Sequence, residues 1–144
     1  MVVGGDDMKN RTMLREIIIK VLYQVYILEK TNVKFDVKEL ISEQCEIENE
    51  FVNDCVYGVL DKQKEISSLA NKYLEDWTID RLSRVDKAII SLGIYELMYT
   101  STPSIVCINE TIELSKLYSD SSVTNMINAC LDKIYKNEDL NGKE

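Results

Sequence analysis

The chain has 144 residues but only five glycines and a single proline, so it lacks most of the punctuation that tight turns require. Barrels and sandwiches need a turn signal about every ten residues. Their scarcity here favours long, uninterrupted helices. With 45% apolar residues there is enough material for one buried core at this length. The predicted class is all-α, a single helical domain of about six to seven helices.

Apolar periodicity places those helices. Leu14, Ile17, Ile18, Val21, Leu22, Val25 and Leu28 form one stripe at i, i+3, i+4 spacing. Ile17, Ile18 and Ile19 are β-branched, yet the stripe runs on past them in both directions. Asp36-Val37-Lys38-Glu39 has the form of a capping box and opens a short helix to Glu43. Val52, Cys55, Val56, Val59, Gln63, Ile66, Ala70 and Tyr73 fit either one long helix from Glu48 to Leu74 or two in series, with Trp77 in the connection that follows. Ser83 to Asp86 repeats the capping pattern. The helix behind it, Arg84 to Tyr99, is apolar nearly all round, which marks a central position. Gly93 in its middle costs about 1 kcal/mol against alanine and implies close approach of a neighbour. Pro103 separates this helix from the next, Ser104 to Tyr118, where Ile105, Ile108, Ile112 and Ser115 share the expected inner face and Leu114 is also assigned to the core. A polar turn, Ser119 to Ser122, precedes a last helix to Lys136 with Val123, Ile127, Cys130, Leu131 and Ile134 inward. Residues 1–8 read as a flexible head or expression remnant, 9–136 as the helical domain and 137–144 as a polar, frayed tail.

Several function classes lose support from the residues themselves. There is no histidine, no Walker A loop, no G-x-S-x-G and no G-x-G-x-x-G. Glu110 and Glu113 share a helix face, but a lone carboxylate pair reads better as a solvated face or salt-bridge donor than as acid–base machinery. Cys45, Cys55, Cys107 and Cys130 form no C-x-x-C pair. Cys55 and Cys130 sit at core spacing, and neither a metal nor another cofactor is expected. No apolar run reaches the roughly 18 residues of a membrane span. Free thiols without a signal peptide point to the cytoplasm.

The net charge is −8, unevenly spread. Lys9, Arg11, Arg15, Lys20, Lys30, Lys34 and Lys38 outnumber Glu16, Glu29 and Asp36, whereas the chain from Glu39 onward is strongly acidic. This split fits two contact surfaces of opposite sign, or a solvated surface with chance asymmetry. On the first helix, Arg15, Ile19, Tyr23 and Tyr26 fall along one flank of the stripe with Arg11 at its edge. Cations with aromatic rings on an exposed strip suit single-stranded RNA. Equally, the tyrosines can complete the core while the arginines pair with acids.

Three ordered stretches bear on that choice. They are Arg11, Arg15, Glu16 and Leu22-Tyr23-Gln24; Trp77-Thr78-Ile79-Asp80-Arg81-Leu82 with Val85-Asp86-Lys87-Ala88-Ile89-Ile90 and Tyr95-Glu96-Leu97; and Pro103-Ser104-Ile105-Val106-Cys107-Ile108-Asn109-Glu110-Thr111-Ile112-Glu113-Leu114-Ser115-Lys116. Together, over Lys9 to Lys136, they resemble the signatures of the NusB family. Two departures stand out. Met126-Ile127-Asn128-Ala129-Cys130-Leu131 replaces the family's Phe-Val-Asn-Gly-Val-Leu, and only Lys9, Arg11 and Arg15 remain of a richer arginine cluster.

The resemblance implies two packed three-helix units and a non-enzymatic transcription antitermination factor. Such a factor binds single-stranded boxA RNA together with the ribosomal protein NusE, joins the RNA polymerase elongation complex and promotes read-through, notably of ribosomal RNA operons. It carries RNA contact onto Lys9, Arg11, Arg15 and Tyr23, and the NusE-facing surface onto Asp86, Ser122 and Met126. Asn109 and Glu110 are expected to serve helix packing or capping. Monomer and homodimer both remain open. The alternatives are a helical interaction scaffold without RNA binding, and the accessory domain of an RNA methyltransferase, which would need a Rossmann-like domain beyond Glu144.

Overall fold

The structure, a computed structural model, describes residues 7–140, 142 and 143, with side chains from Asn10 onward. The described residues form seven α-helices and a short 3-10 turn, without a strand. No described helix is long and apolar enough to cross a membrane. Of the head expected over residues 1–8, residues 1–6 lie outside the described residues, while Asp7 and Met8 belong to the first helix. The chain divides into two compact units between Tyr57 and Gly58.

The first unit holds α1 (Asp7–Leu28), α2 (Val37–Gln44) and the start of α3 (Glu50–Asp61). The α1 stripe is its core: Ile18, Val21, Leu22 and Val25 are at most 1% exposed. Asp36 caps α2 as the sequence predicts, its carboxylate accepting the Lys38 N–H at 3.0 Å, and α2 packs on α1. Asn49 caps α3 by accepting from the Val52 N–H at 3.0 Å.

The second unit contains the end of α3, then α4 (Gln63–Tyr73), the 3-10 turn Ile79–Arg81, α5 (Arg84–Tyr99), α6 (Ser104–Tyr118) and α7 (Ser121–Asn137). Lys62, at φ −101° and ψ 11°, separates α3 from α4, which decides between one long helix and two. Ser83 and Asp120 cap α5 and α7 by accepting the Asp86 and Val123 N–H groups. α5 packs against α4, α6 and α7. Buried residues lie on every side of it, from Ala88 through Leu97.

One helix face is turned from expectation. Ile105 is 70% exposed and Ile108 and Ile112 are half-buried, while Ser104, Cys107, Thr111, Leu114 and Ser115 point inward. The cause lies opposite, at Gly93 of α5. A Cβ placed there would meet Thr111 Oγ1 at 2.6 Å. Helices that approach so closely must meet through small side chains, which turns the isoleucines outward.

The tail is also not frayed where it is described. Leu140 is buried, and Lys143 Nζ donates to the Glu96 and Leu97 carbonyls at 2.7 and 3.0 Å, satisfying the C-terminus of α5.

Glu138, which caps the C-terminus of α7, accepts from Tyr73 Oη at 2.6 Å and from Lys72 Nζ at 2.9 Å. The tyrosine hydroxyl, and after it the lysine, hold this carboxyl below the usual glutamate range. A carboxylate lowered on folding stabilises the fold above its unfolded pKa and loses that contribution as pH falls through the folded value. Glu138→Gln is therefore expected to lower the melting temperature more at about pH 7 than at about pH 3, the ordinary carboxylate range lying between. A deficit of equal size at both pH values would show that the ionised group contributes nothing.

Candidate nucleic-acid interface

The first turns of α1 carry the cationic side chains assigned to RNA. Arg11 is exposed, and its guanidinium carbon sits 4.2 Å from the centroid of the Phe51 ring at the start of α3. Arg15 lies one turn further on and stands 5.4 Å from the same centroid. The two arginines therefore converge on one aromatic ring. The negative face of such a ring attracts guanidinium groups, and it holds each at part of the entropy that a free arginine would lose on binding.

The strip drawn from the sequence is only partly exposed. Tyr23 is 40% exposed and Arg11 faces solvent, as expected. Arg15, Ile19 and Tyr26 are not: they are 1%, 1% and 2% exposed. The α1 face that is buried is wider than its apolar stripe, and it takes in the cation and the tyrosine beside that stripe. Arg15 also has interactions beyond Phe51, so it is a buried, partnered charge rather than a surface one. The side chain of Lys9 lies outside the described residues. Phe51, by contrast, was not singled out from the sequence. Its only signal was an aromatic at the start of α3, just off the stripe, and its pairing with Arg11 spans most of the first unit.

The residues assigned to a protein partner lie in the second unit. Asp86 is 8% exposed, and its carboxylate accepts the Ser119 hydroxyl from the turn between α6 and α7. Ser122 is exposed, and its hydroxyl donates to Asp120 at 2.8 Å. The Val123 N–H, and after it the Ser122 hydroxyl, keep the Asp120 carboxyl below the usual aspartate range, so this corner carries a fixed negative charge. Met126 follows on α7, half-buried. The structure thus brings Asp86 to the turn from which Ser122 projects, but holds Asp86 mostly out of solvent.

Two other polar features read from the sequence take structural roles. Glu113 pairs with Lys116 at 3.1 Å, the salt-bridge role read for it. Cys55, Cys107 and Cys130 are buried, and burial pushes the Cys130 thiol up to about 12, leaving it a protonated core group.

The model of the NusB family matches residues 12–136. The transcription antitermination protein NusB of Macrococcus caseolyticus is 33% identical over 131 residues, covering 90% of this chain and 98% of that protein. The protein of the same name from Campylobacter jejuni subsp. jejuni is 36% identical over 132 residues, again covering 90% and 98%. Among solved structures, T. maritima NusB matches with a TM-score of 0.75 at 28% identity, over 88% of this chain and 91% of that one. A chain from the crystal structure of antitermination factors NusB and NusE in complex with dsRNA matches with a TM-score of 0.76 at 27% identity, over 90% and 98%.

Proposed function

The chain belongs to the NusB family of transcription antitermination factors, and from that footing we propose that it binds RNA and NusE together. The RNA is the boxA element of the nascent transcript. The assembly joins the elongating RNA polymerase in the cytoplasm and promotes read-through, notably of ribosomal RNA operons. The observation that carries this reading is the likeness over nearly the whole chain to a NusB solved with NusE and dsRNA.

In this reading Arg11, Tyr23 and Lys9 meet the RNA, and Arg15 supports Arg11 through the ring they share. Asp86 shapes the turn before α7, from which Ser122 and Met126 face the partner. A chain of net charge −8 repels a polyanion, and only a few cations remain on α1. RNA is therefore held well only when basic NusE adds its own charge, and the acidic stretch from Glu39 onward suits such a partner.

Gel shifts with boxA RNA, a scrambled sequence and a duplex, each with and without NusE, test this. Binding is expected to prefer boxA, to strengthen when NusE is added and to weaken steeply with salt. Equal affinity for the scrambled RNA in the presence of NusE would remove the boxA assignment. NusE binding with no RNA shift under any condition would identify a protein-only scaffold.

A further inference from the structure

We infer that Phe51 is the positioning residue of the RNA face: its ring holds the Arg11 guanidinium in place for a backbone phosphate. The inference rests on the RNA-binding reading above and adds to it a residue that touches no RNA itself.

The geometry argues for this in three steps. Arg11 is exposed and sits early on α1, where a long side chain would otherwise sample many rotamers. Its guanidinium instead lies 4.2 Å from the Phe51 centroid, within the range in which a ring face attracts a cation. Phe51 is half-buried, and Asn49 caps the helix that carries it, so the ring projects from a capped helix end.

The second arginine strengthens the point. Arg15 approaches the same ring at 5.4 Å and is 1% exposed. The buried Arg15 thus packs on the ring that holds the exposed Arg11. A phosphate arriving at Arg11 meets a planar donor whose orientation is already set, so less freedom is lost on binding. A lysine at position 11 would keep the charge but lose the flat stacking surface and the forked donors.

A double-mutant cycle on RNA binding in the presence of NusE tests the inference, with salt dependence read for each variant. Arg11→Ala is expected to weaken binding about tenfold and to reduce the salt slope by about one phosphate contact. Phe51→Leu keeps the cation, so it is expected to weaken binding about threefold with the slope unchanged. The double variant should bind no worse than Arg11→Ala alone, and Phe51→Tyr should bind like the wild type. NusE affinity without RNA should not move in any of them.

Full wild-type affinity in Phe51→Leu, or losses that multiply in the double variant, would overturn the role of Phe51 while leaving RNA binding intact. Absence of RNA binding by the wild type would overturn the functional reading and this inference with it. If Phe51→Leu does not fold, Phe51→Met replaces it, filling the space without a ring: an affinity loss of about threefold at unchanged slope supports positioning by the ring, and full affinity overturns it.

Discussion

Arg15→Ala is expected to lower the stability of the fold by about 2–4 kcal/mol, although the family resemblance assigns this residue to RNA contact. The side chain is 1% exposed and its guanidinium faces the Phe51 ring. Truncation removes a buried methylene stem, a cation–π contact shielded from water and the residue's other interactions. Arg15→Lys is expected to recover only part of the loss, because an ammonium group cannot reproduce the planar contact. Urea denaturation at constant pH measures the effect as a shifted midpoint at constant slope. RNA affinity, measured where the variant is fully folded, should fall less than in Arg11→Ala. An unchanged midpoint together with a large loss of RNA affinity would return Arg15 to the role of direct contact.

Arg15 also shows where the sequence stopped being informative. Periodicity locates the centre of a buried face, and for α1 it did so: Ile18, Val21, Leu22 and Val25 are all core. It does not give the width of that face, which depends on how many other segments pack around the helix. Ile19 and Tyr26 flank the stripe and are buried as completely as its centre. Helix ends were legible because their signals are local. Asp36, Ser83 and Asp120 each cap the helix they precede. The break at Lys62 was not, since neither glycine nor proline marks it. The partner residues came from resemblance alone. No local pattern links Asp86 to Ser119, because that hydrogen bond joins the start of α5 to the end of α6. The pairing of Arg11 with Phe51 escaped for the same reason.

Gly93→Ala is expected to destabilise the fold by about 2 kcal/mol, a fall of about 4–8 °C in melting temperature, although alanine is the better helix former by up to about 1 kcal/mol. The added methyl would lie 2.6 Å from Thr111 Oγ1 and 2.9 Å from Thr111 Cγ2. Thr111 has little room to yield. It is β-branched within a helix, buried, and its hydroxyl donates to the Cys107 carbonyl at 2.7 Å. The remaining response is for α6 to move away from α5, which loosens contacts along both helices. The strain should reach the corner proposed to face NusE, since the Asp86–Ser119 hydrogen bond joins the first turn of α5 to the residue that ends α6. NusE affinity is therefore expected to fall as well. Adding Thr111→Ala removes both clashing atoms and should restore most of the lost stability. Thermal unfolding of the two variants decides the matter: if Gly93→Ala is as stable as the wild type, or if the second substitution recovers nothing, the close approach at Gly93 is not what turns the small-residue face of α6 inward.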